Sequence, residues 1–279
     1  MRKTIILIGL ALALGLLTPS ASAGTVAYYR FDGGNLYDST GVAAHNGSVL
    51  SGTPSYSTSV PVSQVPATGA TDTTSLVLGT GDSVSFNYAF PLNGTAGTVE
   101  FWIDPSLAGL PSTWGDLDLF WTKLGGGDYD RYNIALNTSN GFGLDYRDPS
   151  GNVHGVVGTG AGSIPNNVWT FVALVKNGDV WSIYLNGATT PTATATLSGT
   201  WYPDNTGWTI NGRWECGCGT AQMAGMIDEL RISDTALTPS QFLYASETSG
   251  TPEPGSLATI GSGLAALACF LRRRRSGKP

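Results

Sequence analysis

The sequence predicts an all-β fold in which two antiparallel sheets pack as a sandwich. Three observations predict it. Segments with period-two alternation of apolar and polar residues recur along the chain, the spacing that sends successive side chains to opposite faces of a strand. These segments are separated by Gly, Asn, Asp and Pro, and the chain holds 38 glycines but only 12% charged residues, a composition of many tight turns. Helical periodicity is scarce.

The elements follow in order. From Ser51 to Thr74 the chain is rich in Ser, Thr, Pro and Gly, which reads as a long loop or as irregular edge strands. "GTVEFWIDP" places Val99, Phe101 and Ile103 on one face. "VWTFVALVK" from Val168 is apolar on both faces, as a central sandwich strand is. "NGD" at 177–179 predicts a tight turn, and "VWSIYLNG" then aligns Trp181, Ile183 and Leu185, so a hairpin is expected here. "MAGMIDELRIS" from Met223 is a further strand. "TPSQFLYAS" predicts one or two helical turns, with Thr238 as N-cap and Pro239 at the first helical position. No composition break divides the domain, and no internal repeat is present.

Both ends are set apart from this pattern. Arg2 and Lys3, an apolar run from Ile5 to Leu17, and Ala21-Ser22-Ala23 have the form of a secretory signal peptide cut after Ala23. A retained anchor or a buried helix is the alternative. Near the other end, 18 uncharged residues separate Glu253 from Arg272. As a helix they span about 27 Å, close to a bilayer core of about 30 Å. Arg272 to Arg275 favour the cytoplasmic side. An amphipathic surface helix is the other reading. Pro252-Glu253-Pro254, the Gly/Leu/Ala-rich segment and the Arg cluster together resemble the PEP-CTERM sorting tail of Gram-negative bacteria. The resemblance implies a transient inner-membrane anchor, recognised and cut by an exosortase-type transpeptidase, and delivery to the cell surface or extracellular matrix. Pro252, Glu253 and Pro254 are then substrate features; a permanent single-pass anchor remains open. The expected division is signal peptide 1–23, sandwich domain 24–247 and sorting tail 248–279, with the motif at 252–254, a membrane helix at 255–271 and basic residues at 272–275.

Without its two ends the chain is strongly acidic. All 20 acidic residues but only seven of the 14 Lys and Arg lie between Gly24 and Glu253, a net charge of −13. Such a field repels phosphate backbones and attracts cations, so nucleic acid is not an expected partner. Three cysteines are present. Cys216 and Cys218 stand one residue apart in "WECGCG", where a strained disulfide, a loop feature without a bond or two metal-binding thiols are the options, and no Cys or His cluster supplies further ligands.

Six segments stand in one line: "AYYRFDGG", "YDSTGVAAHNGSV", "SLVLGTGDSVSF", "GTVEFWIDPS", "NVWTFVALVKNGDVWSIYLNG" and "AGMIDELRISDTALTPSQF". Together, from about Thr25 to Ala245, they resemble a laminin-G-like domain of the concanavalin A-like jelly-roll superfamily. The resemblance implies a jelly-roll sandwich of two sheets with binding loops at the rim. It also implies a calcium ion between the first and last strands. By similarity Asp32 and Asp228 are the matching acidic positions, and Asp38 with the carbonyls of "STGVAAHNG" would add ligands. Turn hydrogen bonding, or ion pairing with Arg30 or Arg231, is the alternative for these aspartates.

Catalytic constellations are missing from the sequence. Glycoside hydrolysis uses two carboxyl groups flanking the scissile bond. Glu100 and Asp104 share a strand face at a spacing of about 13 Å, and neighbours on one strand do not flank a bond. Asp228 and Glu229 are adjacent and are expected to face opposite ways. His45 and His154 stand alone, with no Gly-x-Ser-x-Gly elbow. A divergent hydrolase or lyase would need a cross-groove pair near Asp116, Asp118, Asp128 or Asp130. Trp102, Trp169 and Trp181 lie in strong strands and are expected in the core. Trp114, Trp121, Tyr129, Trp201, Tyr202, Trp208 and Trp214 lie in less regular, Gly-rich or polar stretches, where an aromatic face can stack on a sugar or pack against the sandwich; Trp201, Tyr202, Trp208 and Trp214 are the candidates for a ligand contact. The sequence therefore reads as a non-enzymatic exported domain that binds exopolysaccharide or matrix proteins, with a passive matrix component as the alternative.

Overall fold

In the computed structural model the described residues are 24–90, 92, 94–106, 116–123, 130–137, 139–147, 153–198, 207–211 and 222–245. The chain divides into two units, Met1–Ala245 and Ser246–Pro279, and every described residue belongs to the first. The signal peptide, the sorting tail and the cysteines fall outside the described residues. Among the described residues, no helix is long and apolar enough to cross a membrane.

Among the described residues there are fifteen strands. They are β1 (Thr25–Tyr29), β2 (Ser48–Ser51), β3 (Ser55–Ser57), β4 (Ser75–Leu78), β5 (Ser83–Phe86), β6 (Ala96–Pro105), β7 (Asp116–Lys123) and β8 (Asp130–Asn137). Then follow β9 (Phe142–Arg147), β10 (Val153–Gly158), β11 (Thr170–Asn177), β12 (Val180–Leu185), β13 (Ala193–Thr196), β14 (Trp208–Ile210) and β15 (Gly225–Ser233). The eight-stranded sheet runs β13-β12-β11-β6-β15-β4-β3, with β1 also pairing β15; the seven-stranded sheet runs β10-β9-β8-β7-β14-β5-β2. Every pairing is antiparallel.

Alternation builds the core as predicted. Val99, Phe101 and Ile103 on β6, and Trp181 and Ile183 on β12, are fully buried between the sheets. Across the seven-stranded sheet, Val84, Ile210, Phe120, Ile134, Leu144 and Val157 stand opposite one another in one register row, and all six are buried. The β11–β12 hairpin closes from Asn177 to Val180 around Gly178, whose φ is +60°. The 51–74 stretch contributes edge strand β3 and a bridge between Gln64 and Thr71. Pro239–Gln241 forms a single 3-10 turn after Thr238, shorter than the two turns allowed by the sequence.

The outer face of the eight-stranded sheet is covered. Trp102, Phe171, Ala173 and Val175 form a second apolar cluster with Leu237, Phe242 and Leu243 from the segment after β15, and with Val65. This C-terminal strap, residues 234–245, is also pinned by its backbone. Thr98 Oγ1 donates to the Thr235 carbonyl (2.8 Å) and accepts from the Leu237 amide (2.9 Å). Arg231 donates to the Gln241 carbonyl (2.6 Å), and the Leu243 amide donates to Glu100 (2.8 Å). Glu100 and Arg231, both buried, pair with each other.

Candidate functional site

Two strands share one side of β15. β4 pairs with Gly225 to Ile227 and β1 pairs with residues from Leu230 to Ser233. Asp228 and Glu229 fall in the gap between them. On the opposite side, β15 fits three steps, Asp228 to Arg231, against the two steps from Trp102 to Glu100 on β6. That extra residue is a β-bulge, and Glu229 takes it up with φ +49°. Phe31, one turn beyond β1, also has positive φ, +57°. Left-handed backbone costs a non-glycine residue about 1–2 kcal/mol, and such strain collects at functional sites.

The gap gathers carboxyl groups from three separate segments. Asp32 follows β1, Asp72 precedes β4, and Asp228 and Glu229 form the bulge. Ligand oxygens of Asp32, Asp72 and Glu229 lie within 4.8 Å of one another. Among the described residues Arg30 is the cation paired with them, 2.6 Å from Asp32 and 3.1 Å from Glu229. Tyr28 donates its hydroxyl to Glu229. Asp32 is oriented by the Thr73 amide (2.7 Å) and hydroxyl (2.5 Å), and by the Thr74 amide (3.2 Å).

Asp72 and Asp228 are placed differently. Asp72 is 5% exposed, and neither of its carboxyl oxygens has a hydrogen-bond partner; Asp228 and the Val62 backbone approach it without reaching hydrogen-bond geometry. Asp228 is fully buried; its Oδ1 accepts the Glu229 amide at 2.9 Å, and its Oδ2 has no partner. Burial pushes both carboxyls up; the charge of Asp32 pushes Asp72 further against the charge of Arg30 and the Asp228 side chain, and the charges of Asp72 and Glu229 push Asp228 further. Burial raises Glu229 to about 7, against the hydrogen bond from Tyr28 and the charge of Arg30. A buried carboxylate with no donor is costly.

The residues present fit a hard divalent cation. Calcium takes oxygen ligands at about 2.3–2.6 Å, so two ligands of one ion lie at most about 5 Å apart, and the cluster meets that limit. Asp32, Asp72 and Glu229 would hold the ion with Asp228 behind them.

Of the expected metal ligands, Asp32 is one of the three clustered carboxylates, Asp228 is next to Glu229 but not among the three, and Asp38 lies apart from them. Asp38 Oδ1 accepts the Tyr28 and Thr40 amides (both 2.9 Å), and Oδ2 accepts the Thr40 hydroxyl (2.6 Å) and contacts His45 Nδ1 (3.2 Å). This is turn hydrogen bonding, the alternative reading for that residue. The expectation that Asp228 and Glu229 face opposite ways is also corrected, because the bulge breaks alternation and the charge of Asp72 acts on both carboxyls. Asp72 and Glu229 were missed. The available signal for Asp72 was its isolation, as no other acidic residue lies between Asp38 and Asp82.

Trp208 is a second correction. It is 2% exposed and stacks on Phe86 at 4.0 Å, with Tyr88 and Phe90 also against it. The ring fills the core, so no sugar reaches it. Trp201, Tyr202 and Trp214 lie outside the described residues. Trp102 and Trp181 are buried as expected, while Trp169 is half-buried. Glu100, considered above as one of a strand-face pair, is locked to Arg231 beneath the strap.

A second register row crosses the seven-stranded sheet. Ser48, Ser85, Thr209, Trp121, Asn133 and Asp145 stand opposite one another across β2, β5, β14, β7, β8 and β9. Of these, Ser48 is exposed and Ser85 and Thr209 are half-buried.

A two-sheet antiparallel sandwich with an acidic pocket where its first and last strands meet defines a jelly-roll of the lectin type. The profile of the concanavalin A-like lectin/glucanases superfamily matches residues 78–242, and the chain belongs to that superfamily. No curated protein matches the sequence. Among solved structures, the chain is similar to domain 4 of AbnA, an extracellular arabinanase of glycoside hydrolase family 43 from Geobacillus stearothermophilus, solved with arabinotriose. The TM-score is 0.54 at 20% identity, covering 78% of this chain and 96% of that one. It is also similar to the botulinum neurotoxin serotype D binding domain, with TM-score 0.57 at 14% identity. That match covers 79% of this chain and 51% of the toxin domain, so the chain spans about half its length. A structure of the serotype D ligand-binding domain with N-acetylneuraminic acid matches with TM-score 0.55 at 14% identity, covering 79% of this chain and 50% of that one.

Proposed function

We propose that the chain is a non-catalytic carbohydrate-binding module, exported and displayed at the cell surface or in the extracellular matrix. The observation that carries this reading is the register row on the seven-stranded sheet. Hydroxyl, amide and carboxylate residues flank a tryptophan there in one line, and an extended saccharide needs such hydrogen-bonding groups beside an aromatic face. The covered outer face of the other sheet offers no comparable surface among the described residues. Neighbours solved with arabinotriose and with N-acetylneuraminic acid support a saccharide ligand. Calcium in the Asp32/Asp72/Glu229 cluster is structural in this reading, tying the first and last strands together away from the saccharide row. The signal peptide and the Pro252-Glu253-Pro254 tail supply export, transient inner-membrane anchoring and cutting by an exosortase-type enzyme.

The test is affinity electrophoresis of the protein through gels cast with arabinan, sialylated glycans or the producer's own exopolysaccharide. Retardation by one of these, lost in Trp121→Ala with the melting temperature unchanged, supports the reading. Free migration through all of them overturns it in favour of a passive matrix component. Intact-mass measurement of the form recovered outside the cell checks both expected cleavages.

A further inference from the structure

The cation cluster and the C-terminal strap are joined by one short piece of chain. Asp72, with both carboxyl oxygens buried and unpartnered, ends a turn that is bonded within itself. Its amide donates to the Ser63 carbonyl (3.2 Å), the Val65 amide to Ala70 (2.8 Å), and the Gly69 amide to Val65 (2.8 Å). Gln64 and Thr71 form a bridge across it. Residues 63–72 therefore move as one piece. The far side of that piece touches the strap: the Ala67 amide donates to the Leu243 carbonyl at 3.1 Å, and Val65 packs in the apolar cluster that contains Phe242 and Leu243.

From this connection we infer that cation occupancy of the Asp32/Asp72/Glu229 cluster controls how firmly the C-terminal strap is held on the sheet. The inference rests on the calcium reading above. An ion bound by Asp72 fixes the near end of the 63–72 turn to β1 and to the β15 bulge. The fixed turn then holds Val65 and Ala67 against Leu243. Without the ion, neither carboxyl oxygen of Asp72 has a hydrogen-bond partner to hold it there, while its neighbours Asp32 and Glu229 repel it. The turn then lifts more readily, and the strap loses its contacts with Val65 and Ala67. Its bonds to Thr98 and the Glu100–Arg231 pair, and its packing on Trp102 and Phe171, stay in place.

The test is hydrogen–deuterium exchange on the full chain, with calcium chloride titrated and magnesium chloride as control, beside calorimetry of calcium binding. An opening that must release the ion is suppressed in proportion to its saturation, so calcium at 100 times its Kd slows exchange up to about 100-fold. The expected result is slowing in both 63–72 and 235–245, absent in Asp72→Asn. Val65→Ala, which leaves the cluster intact, should keep the binding heat and the slowing at Asp72 but weaken the slowing in 235–245. Binding heat with unchanged exchange in 235–245 of the unmutated protein overturns the inference and leaves the calcium reading standing. Absence of binding heat overturns both.

Discussion

The two outer faces of this sandwich come from the same kind of alternating strand, yet they have opposite fates. On the eight-stranded sheet the face is apolar around two charged residues, and the strap covers it. On the seven-stranded sheet the register row is hydroxyl, amide and carboxylate around one tryptophan, and its described members reach solvent. The difference teaches that a strand's outward residues report what will lie over them. A buried charge such as Glu100 is tolerable only because a partner and a backbone donor arrive with the cover. A row of short polar groups needs no cover.

The largest break in that comparison is Glu100→Ala. It leaves the Arg231 guanidinium buried beneath the strap without its carboxylate, and removing one partner of a buried pair costs about 3–5 kcal/mol. Urea denaturation should show the unfolding free energy fall by that amount, seen as a lower midpoint at unchanged slope. If the loss stays below about 1 kcal/mol, the strap is not closed over the pair. Phe242→Ala comes next, at about 3 kcal/mol, because its ring packs against Phe171 and Tyr184 inside the covered cluster. The same melts should expose that face, seen as binding of an apolar dye below the transition.

Much of this contrast was legible in the sequence, and the reasons differ by residue. Val99, Phe101 and Ile103 declared the core side of β6 because alternation is local. Thr98 and Glu100, on the other side, gave no hint of a cover, since the strap returns more than 130 residues later in contacts such as Glu100 with Leu243. Asp32 and Asp228 were found through their place in the six-segment resemblance. Asp72 was not, because it sits in a Ser/Thr/Pro stretch with no period to place it. Glu229 was assigned the wrong side because a bulge is invisible to a rule of alternation. Trp208 was misjudged from its polar flanks, although the pattern Trp208-Thr209-Ile210 was itself an alternation and the tryptophan was on its apolar phase.

A smaller effect separates the strap's edge from its centre. Gly187 has φ +72°, and a Cβ built there meets the Tyr244 ring at 2.1 Å. Tyr244 is 40% exposed, over Phe171 at 5.4 Å and Trp102 at 6.4 Å, so its ring has room to move. Gly187→Ala should therefore cost mainly the left-handed backbone, about 1–2 kcal/mol, and thermal melts should show it. A loss as large as that of Phe242→Ala would make Tyr244 part of the strap's anchor rather than its margin.

The smallest effect on stability is expected on the open face. Ser85 bonds Ser48 side chain to side chain at 3.1 Å in an exposed position, and exposed substitutions away from core, caps and networks stay within about 0.5 kcal/mol. Ser85→Ala should melt with the unmutated protein. On the saccharide reading, the same substitution removes a hydroxyl from the row and should reduce retention in the glycan gel. A stability loss above about 1 kcal/mol would mean that something packs on this face as the strap does on the other, and the contrast between the two faces would then fail. Unchanged melting with unchanged retention would keep the contrast and shift the saccharide contact toward Trp121, Asn133 and Asp145, where single substitutions can locate it.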